Sequence, residues 1–154
     1  VPNPEFPIVF HGVHGEELQE EGSPSFYNQD EALLIVELVE DLCAKQELRQ
    51  GEVAILCGHQ LQIRRIRLLL REKKLHHGCA LLIGHFAVEV GDVRTVQGRE
   101  RKAIFVSTVR TRKAKASRDY IFDLGWLSNV KRINTAITRA ISLVVVIGDP
   151  HVLT

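Results

Sequence analysis

Apolar residues in this chain fall into short unbroken runs, with segments of near-helical periodicity between them. Phe6 to Phe10 is an apolar run behind a proline-rich opening and predicts a strand. A polar loop rich in Gly and Glu follows to Ser25. Asn28 then offers a helix N-cap with Glu31 three positions on, the spacing of a capping box. Leu33, Leu34, Val36, Leu38, Val39 and Leu42 give that helix a broad apolar face. Glu52 to Cys57 predicts a second strand, buried on both faces.

From Gln60 to Lys74 the pattern is a basic amphipathic helix. Ile63, Ile66, Leu69 and Leu70 point inward, and Arg64, Arg65, Arg67 and Arg71 lie elsewhere. Ala80 to Val90 holds one or two strands interrupted at Gly84. Ala103–Val109 and Leu143–Gly148 are the clearest strands, β-branched and bounded by polar turns, with a short helix over Ile133–Ile141 before the second. Strands that alternate with helices, and whose apolar runs are not split into in-and-out pairs, predict a parallel sheet covered on both sides. The fold class is therefore α/β, and 154 residues suffice for one domain spanning 1–154.

Composition adds exclusions. No apolar run approaches the roughly 20 residues that a membrane helix needs. Val1-Pro2-Asn3-Pro4 has no signal-peptide character, and the absence of methionine suggests a fragment of a longer protein. Cys43, Cys57 and Cys79 match no zinc or redox spacing, and they fit a reducing compartment. His11 with His14, and His76 with His77, lack carboxylate or thiol neighbours at ligand spacing, so no metal site is expected. Asp30-Glu31-Ala32 reads as a helix start and not as a metal motif, because no buried apolar strand precedes it.

Charge is unevenly distributed. Residues 1–44 carry ten acidic groups and no lysine or arginine, and residues 45–154 carry twenty basic and nine acidic groups. That asymmetry suggests an anionic ligand on one side of the domain, although two solvated faces would look the same.

Three segments carry the candidate chemistry. In Gln97-Gly98-Arg99-Glu100 a glycine permits close backbone approach, and its neighbours can hydrogen-bond phosphate, water or ribose. Ser107-Thr108-Val109-Arg110, followed by Arg112, Lys113, Lys115 and Arg118, places hydroxyls and cations where open α/β sheets bind ligands. In Asn134-Thr135-Ala136-Ile137-Thr138-Arg139-Ala140, Arg139 projects from a helix and can meet a phosphate or form a structural ion pair.

Taken in this order, the three segments resemble motifs V, Va and VI of the Upf1-like branch of superfamily 1 RNA helicases. The likeness runs from Phe6-Pro7 to Gly148-Asp149-Pro150. Ser107-Thr108-Val109-Arg110-Thr111-Arg112, Leu127-Ser128-Asn129 and the Arg139 segment look most like the helicase-with-zinc-finger group, followed by the Armitage-type helicases. The resemblance implies a RecA-like three-layer sandwich with a central, mostly parallel sheet, the second of two such domains. It implies ATP and Mg2+ held mainly by the upstream RecA-like domain, single-stranded RNA as partner, and a cytoplasmic location with the nucleus as an alternative.

By likeness, Arg139 is the catalytic arginine finger that faces the γ-phosphate. Gly98 and Glu100 belong to motif V, with the glutamate near the ribose. His59, Gln62 and Arg64 fall at motif IV and are assigned to the nucleotide. Thr95, Thr108, Arg110 and Arg112 are assigned to RNA. The chain departs from the family at Gly58-His59, where Pro-Tyr is usual, and at Arg94 and Val96, where an acidic residue and phenylalanine are usual.

No glycine is followed by lysine, so the chain holds no phosphate-binding P-loop and is expected to be inactive alone. The expected activity is that of an ATP-dependent RNA helicase in the full-length protein. The departures motivate an alternative, a degenerate helicase that clamps RNA or scaffolds partners without turnover. A protein-interaction module with a basic edge ranks third.

Overall fold

Every residue of Val53–Cys57 (β4) is buried, because helices cover both faces of this strand. The computed structural model describes residues 7–45, 48–73, 75, 77–78, 87–96, 98–111 and 130–153. Before β4 come β1 (Ile8–Gly12), β2 (Glu17–Gln19), β3 (Phe26–Asn28) and α1 (Gln29–Ala44). After it come α2 (Gln60–Glu72), β5 (His77–Gly78), β6 (Val88–Gly91), β7 (Arg101–Ser107), α3 (Val130–Arg139), β8 (Ala140–Gly148) and the short α4 (Pro150–Leu153). Among the described residues six strands form one sheet in the order β1-β8-β7-β4-β6-β5, and every pairing in it is parallel. The predicted RecA-like α/β architecture is present.

Alternate residues of the central strands feed two cores. Val53, Ile55, Cys57, Ala103, Phe105, Val145 and Ile147 face α1 and α2, packing on Ile35, Val36, Val39, Ile63, Ile66 and Leu70. Ala54, Leu56, Ile104 and Val106 face the other way, against Ala136 and Ile133 of α3 and Val96. Because each face has its own cover, the strands read as continuous apolar runs rather than alternating ones.

Local differences from the sequence reading have physical causes. In α1 the buried face is Ala32, Ile35, Val36 and Val39, and Leu33 is exposed. An apolar stretch this dense fits more than one helical face, and only packing against α2 selects between them. Three-residue β2 and β3 pair antiparallel, with part of the expected loop serving as β2; strands that short show no period. β7 starts at Arg101 and stops at Ser107, two residues early at each end. At its start Arg101 is buried beside a carboxylate, which residue type alone conceals. α3 ends at Arg139, and β8 begins at once with Ala140. Of the strand region predicted over Ala80–Val90, β6 is described; residues 79–86, with Cys79, lie outside the described residues, as do His76 and residues 112–129. Among the described residues no helix is long and apolar enough to cross a membrane.

Phe105 is 0% exposed at the centre of the sheet, between β4 and β8. Phe105→Ala should therefore destabilise the domain by about 3–5 kcal/mol. Equilibrium urea unfolding at constant m-value checks this, and a loss below about 1 kcal/mol would place the core elsewhere.

Candidate functional site

A sheet whose strands all run one way has two chemically distinct edges, and the candidate residues divide between them. At the C-terminal edge lie Gly58 and His59 after β4, Asp92 after β6, Thr108 to Arg110 after β7, and Asp149 after β8. At the opposite edge lie Gly98 and Glu100 ahead of β7 and Arg139 ahead of β8.

The C-terminal edge is organised by Glu31, whose side chain is 0% exposed. Its Oε2 accepts from Ser107 Oγ (2.7 Å) and from the Val109 backbone N–H (3.0 Å). Asn28 caps α1 as predicted, its Oδ1 accepting from the Glu31 N–H (3.1 Å). The reciprocal half of the capping box is replaced: the Asn28 N–H donates to Gln62 Oε1 (2.9 Å). Gln62 Nε2 donates to Asn28 O (3.1 Å) and Ser107 Oγ (3.0 Å). Gln62 is fully buried, and its amide links β3 to the end of β7.

Desolvation raises the Glu31 carboxyl from 4.5 to about 7, while hydrogen bonds from Ser107 and Val109 pull in the other direction. Burial, and secondarily the neighbouring Glu31 charge, also push the Cys57 thiol up. Cys57 is therefore an inert buried hydrophobe, as its apolar surroundings predict.

Val109, held by Glu31, adopts φ 69°, a left-handed conformation that is strained for a β-branched residue. Beyond it the Arg110 guanidinium lies 3.9 Å over the Phe26 ring, with Nη1 3.5 Å from Glu17 Oε2. Arg110 and Thr108 are each 3% exposed, and the Thr108 N–H donates to Ile147 O (3.1 Å). Thr95 is half-buried, its hydroxyl donating to Asp92 O (2.7 Å). Its methyl group lies where a Cβ on Gly91 would collide, so only glycine fits there. Arg112 lies outside the described residues.

The open chemistry at this edge is a pocket of about 180 Å³ lined by Cys57, Gly58, Gln60, Asp92, Val93, Arg94 and Arg132. Arg94 is exposed, and its guanidinium is paired with Asp92. The sequence reading missed Arg132 and Gln60 because neither stands in a motif. The basic face of α3 was the signal that could have found Arg132.

His59 is 4% exposed and makes an edge contact with Phe26, ring centroids 5.9 Å apart. Arg64 is exposed on α2, beside a second pocket with Glu20, Tyr27 and Arg65. His59, Gln62 and Arg64 thus stand at or near the C-terminal edge, away from Gly98, Glu100 and Arg139. The length of β7 separates the two groups, about 20 Å at roughly 3.3 Å per residue. The structure does not bring the six residues assigned to the nucleotide into one cluster.

It does bring three of them together. Arg101 of β7 is in register with Ala140 of β8, and Glu100 and Arg139 each precede that pair by one residue. Gly98 is exposed with φ 73°, and a Cβ there would meet nothing within 4 Å, so backbone conformation and not crowding favours glycine. Arg101 anchors the turn by pairing with buried Glu89 (2.8 Å) and donating to Glu100 O (2.9 Å). Arg139 Nε is buried and has no hydrogen-bond partner among the described residues. A buried guanidinium N–H without a partner among these residues is suited to an anion.

Residues 1–151 match the family described as AAA domain. The chain is 36% identical to RNA helicase Mov10l1 of Homo sapiens over 155 residues, covering 99% of this chain and 12% of that protein. It is 38% identical over 167 residues to a helicase with zinc finger domain of Homo sapiens, covering 96% and 8% respectively. With helicase mov-10-B.1 of Danio rerio it shares 36% over 159 residues, 99% of this chain and 15% of that protein. The chain thus spans a small part of the length of each relative.

The Glu31 carboxyl gives the domain a pH signature. With its folded pKa raised, the native state holds more protons than the unfolded chain between about pH 4.5 and 7, so stability falls as pH rises through that window. Glu31→Gln cannot titrate. The stability of the wild type relative to this variant should fall by about 3 kcal/mol from pH 4.5 to above pH 7. Paired urea titrations measure the difference, and a pH-independent result would rule out titration at Glu31.

Proposed function

Because the chain belongs to the AAA-domain family and, within it, to the Upf1-like superfamily 1 helicases, we propose that it is the second RecA-like motor domain of an ATP-dependent RNA helicase. The observation that carries this reading is the edge where Gly98, Glu100 and Arg139 meet, with Arg139 Nε buried and unpartnered among the described residues. ATP and Mg2+ would lie against this edge, held mainly by an upstream RecA-like domain and supplying the phosphoryl group that is transferred to water. Arg139 presents its guanidinium to the γ-phosphate and offsets the negative charge that develops there. Glu100 accepts from the ribose hydroxyls, and exposed Gly98 lets backbone approach closely. Gln62 is assigned a structural role at the other edge.

Single-stranded RNA runs over the C-terminal edge, across the pocket that Gln60, Arg94 and Arg132 line. Thr95 faces it, and Arg112, outside the described residues, is assigned to the same RNA. Thr108 and Arg110 shape that track from beneath, since both are buried. Contacts of this kind are to phosphate, and they give affinity without sequence preference. Closure of the two domains on ATP would move this edge along the strand.

In the longer protein carrying both RecA-like halves, Arg139→Ala should lower RNA-stimulated ATP hydrolysis by about 10³–10⁵-fold with RNA binding retained. Unchanged turnover would remove Arg139 from catalysis. No turnover in the wild type, with RNA still bound, would favour the clamp. Separately, Arg132→Ala should weaken RNA binding uniformly across sequences and reduce the salt slope by about one unit. An unchanged slope would place the RNA off this pocket.

A further inference from the structure

The loop that leaves β1 meets the end of β8 at a cluster that the motor function does not use. The Val13 N–H donates to Gly148 O (2.9 Å), which draws the loop against the strand end. Pro150 packs there too, 3.6 Å from where a Cβ on Gly12 would stand. These contacts set His14 beside Asp149 and His151. The two imidazoles are stacked, ring centroids 5.3 Å apart and planes 24° from parallel. His14 Nδ1 is 3.8 Å from Asp149 Oδ2, and one ligand atom from each of the three residues lies within 4.8 Å of the others.

Asp149 is the fixed member. It is 7% exposed, and its Oδ1 accepts from the His151 N–H (2.8 Å), which leaves Oδ2 turned toward His14. Both histidines are exposed and free to adjust. Tetrahedral zinc with bonds of about 2.0–2.2 Å to nitrogen and oxygen places its ligand atoms about 3.3 Å apart. The observed separations need only small side-chain rotations to reach that. Two imidazoles and one carboxylate are a donor set for a borderline divalent ion rather than for calcium or magnesium, which take oxygen.

We propose that His14, Asp149 and His151 form a zinc-class divalent metal site, with the fourth position open to water or an outside ligand. The sequence reading expected no metal site, because Asp149 and His151 come to His14 only through the fold. The ion would brace the loop after β1 against the end of β8. That strand also accepts the Thr108 N–H at Ile147, so the brace stands on the edge assigned to RNA.

The test is calorimetric titration of Zn2+ into chelator-treated protein, repeated with Co2+ and visible absorption to report coordination. The wild type should bind one equivalent. Loss of a partner outside the ligand shell alone weakens metals about 10–100-fold, so His14→Ala and His151→Ala should each cost at least about tenfold. The double variant His76→Ala/His77→Ala should bind as the wild type does. Both proposed ligands are exposed, and circular dichroism checks that the variants stay folded. Absence of saturable one-to-one binding would overturn the site. So would binding that survives loss of either His14 or His151.

Discussion

A carboxyl group with no access to water needs hydrogen-bond partners, and at Glu31 the donors gathered on Oε2 organise the edge of the sheet. Ser107 and Val109 supply the donors, Gln62 joins Ser107 to Asn28, and Asn28 caps the helix that carries Glu31. The loop closes on itself, so losing any member leaves another buried polar group unsatisfied, at about 1–3 kcal/mol. The same network maintains Val109 in a conformation that costs on the order of 1–3 kcal/mol elsewhere. Strain at that residue turns the chain out of β7, so Arg110 lands on Phe26 and Glu17 instead of extending the strand.

Uniform strand direction sets the second constraint. The two candidate edges lie at opposite ends of the same strands, and β7 and β8 each touch both. Arg101 and Ala140 mark the end next to Arg139, and Ser107 and Ile147 mark the end next to Thr108. Strands paired on both sides deform little, so displacement at one edge is transmitted to the other as motion of a rigid body. That suits the proposed motor role, in which closure around a nucleotide would move a strand.

Much of this was legible in the sequence. The unbroken runs at Glu52–Cys57 and Ala103–Val109 predicted a sheet covered on both sides, and both cores bear this out. Asn28 as a cap was readable from residue type and spacing. The use made of Glu31 was not, because its partners lie 76 and 78 residues away and no local pattern points to them. For the same reason Gln62, placed by motif likeness at a nucleotide, is a buried strut. Arg110 was assigned to RNA by family likeness; in the fold an aromatic face and a carboxylate from the acidic leading segment cover it. Part of the charge asymmetry seen along the chain is thus internal, with Glu17 set against Arg110. The cluster of Gly98, Glu100 and Arg139 was legible as a set of motifs, and the Arg101–Ala140 register supplies the geometry that joins them.

The register of β7 has a consequence for how such a domain can diverge. One residue added within Arg101–Ser107 would turn every following side chain to the opposite face and exchange the contents of the two cores. It would also lengthen the span between the edges by about 3.3 Å. Over evolutionary time this segment can therefore change its letters but not its length. Insertions and deletions should accumulate in the connections, where no core is bound to the count.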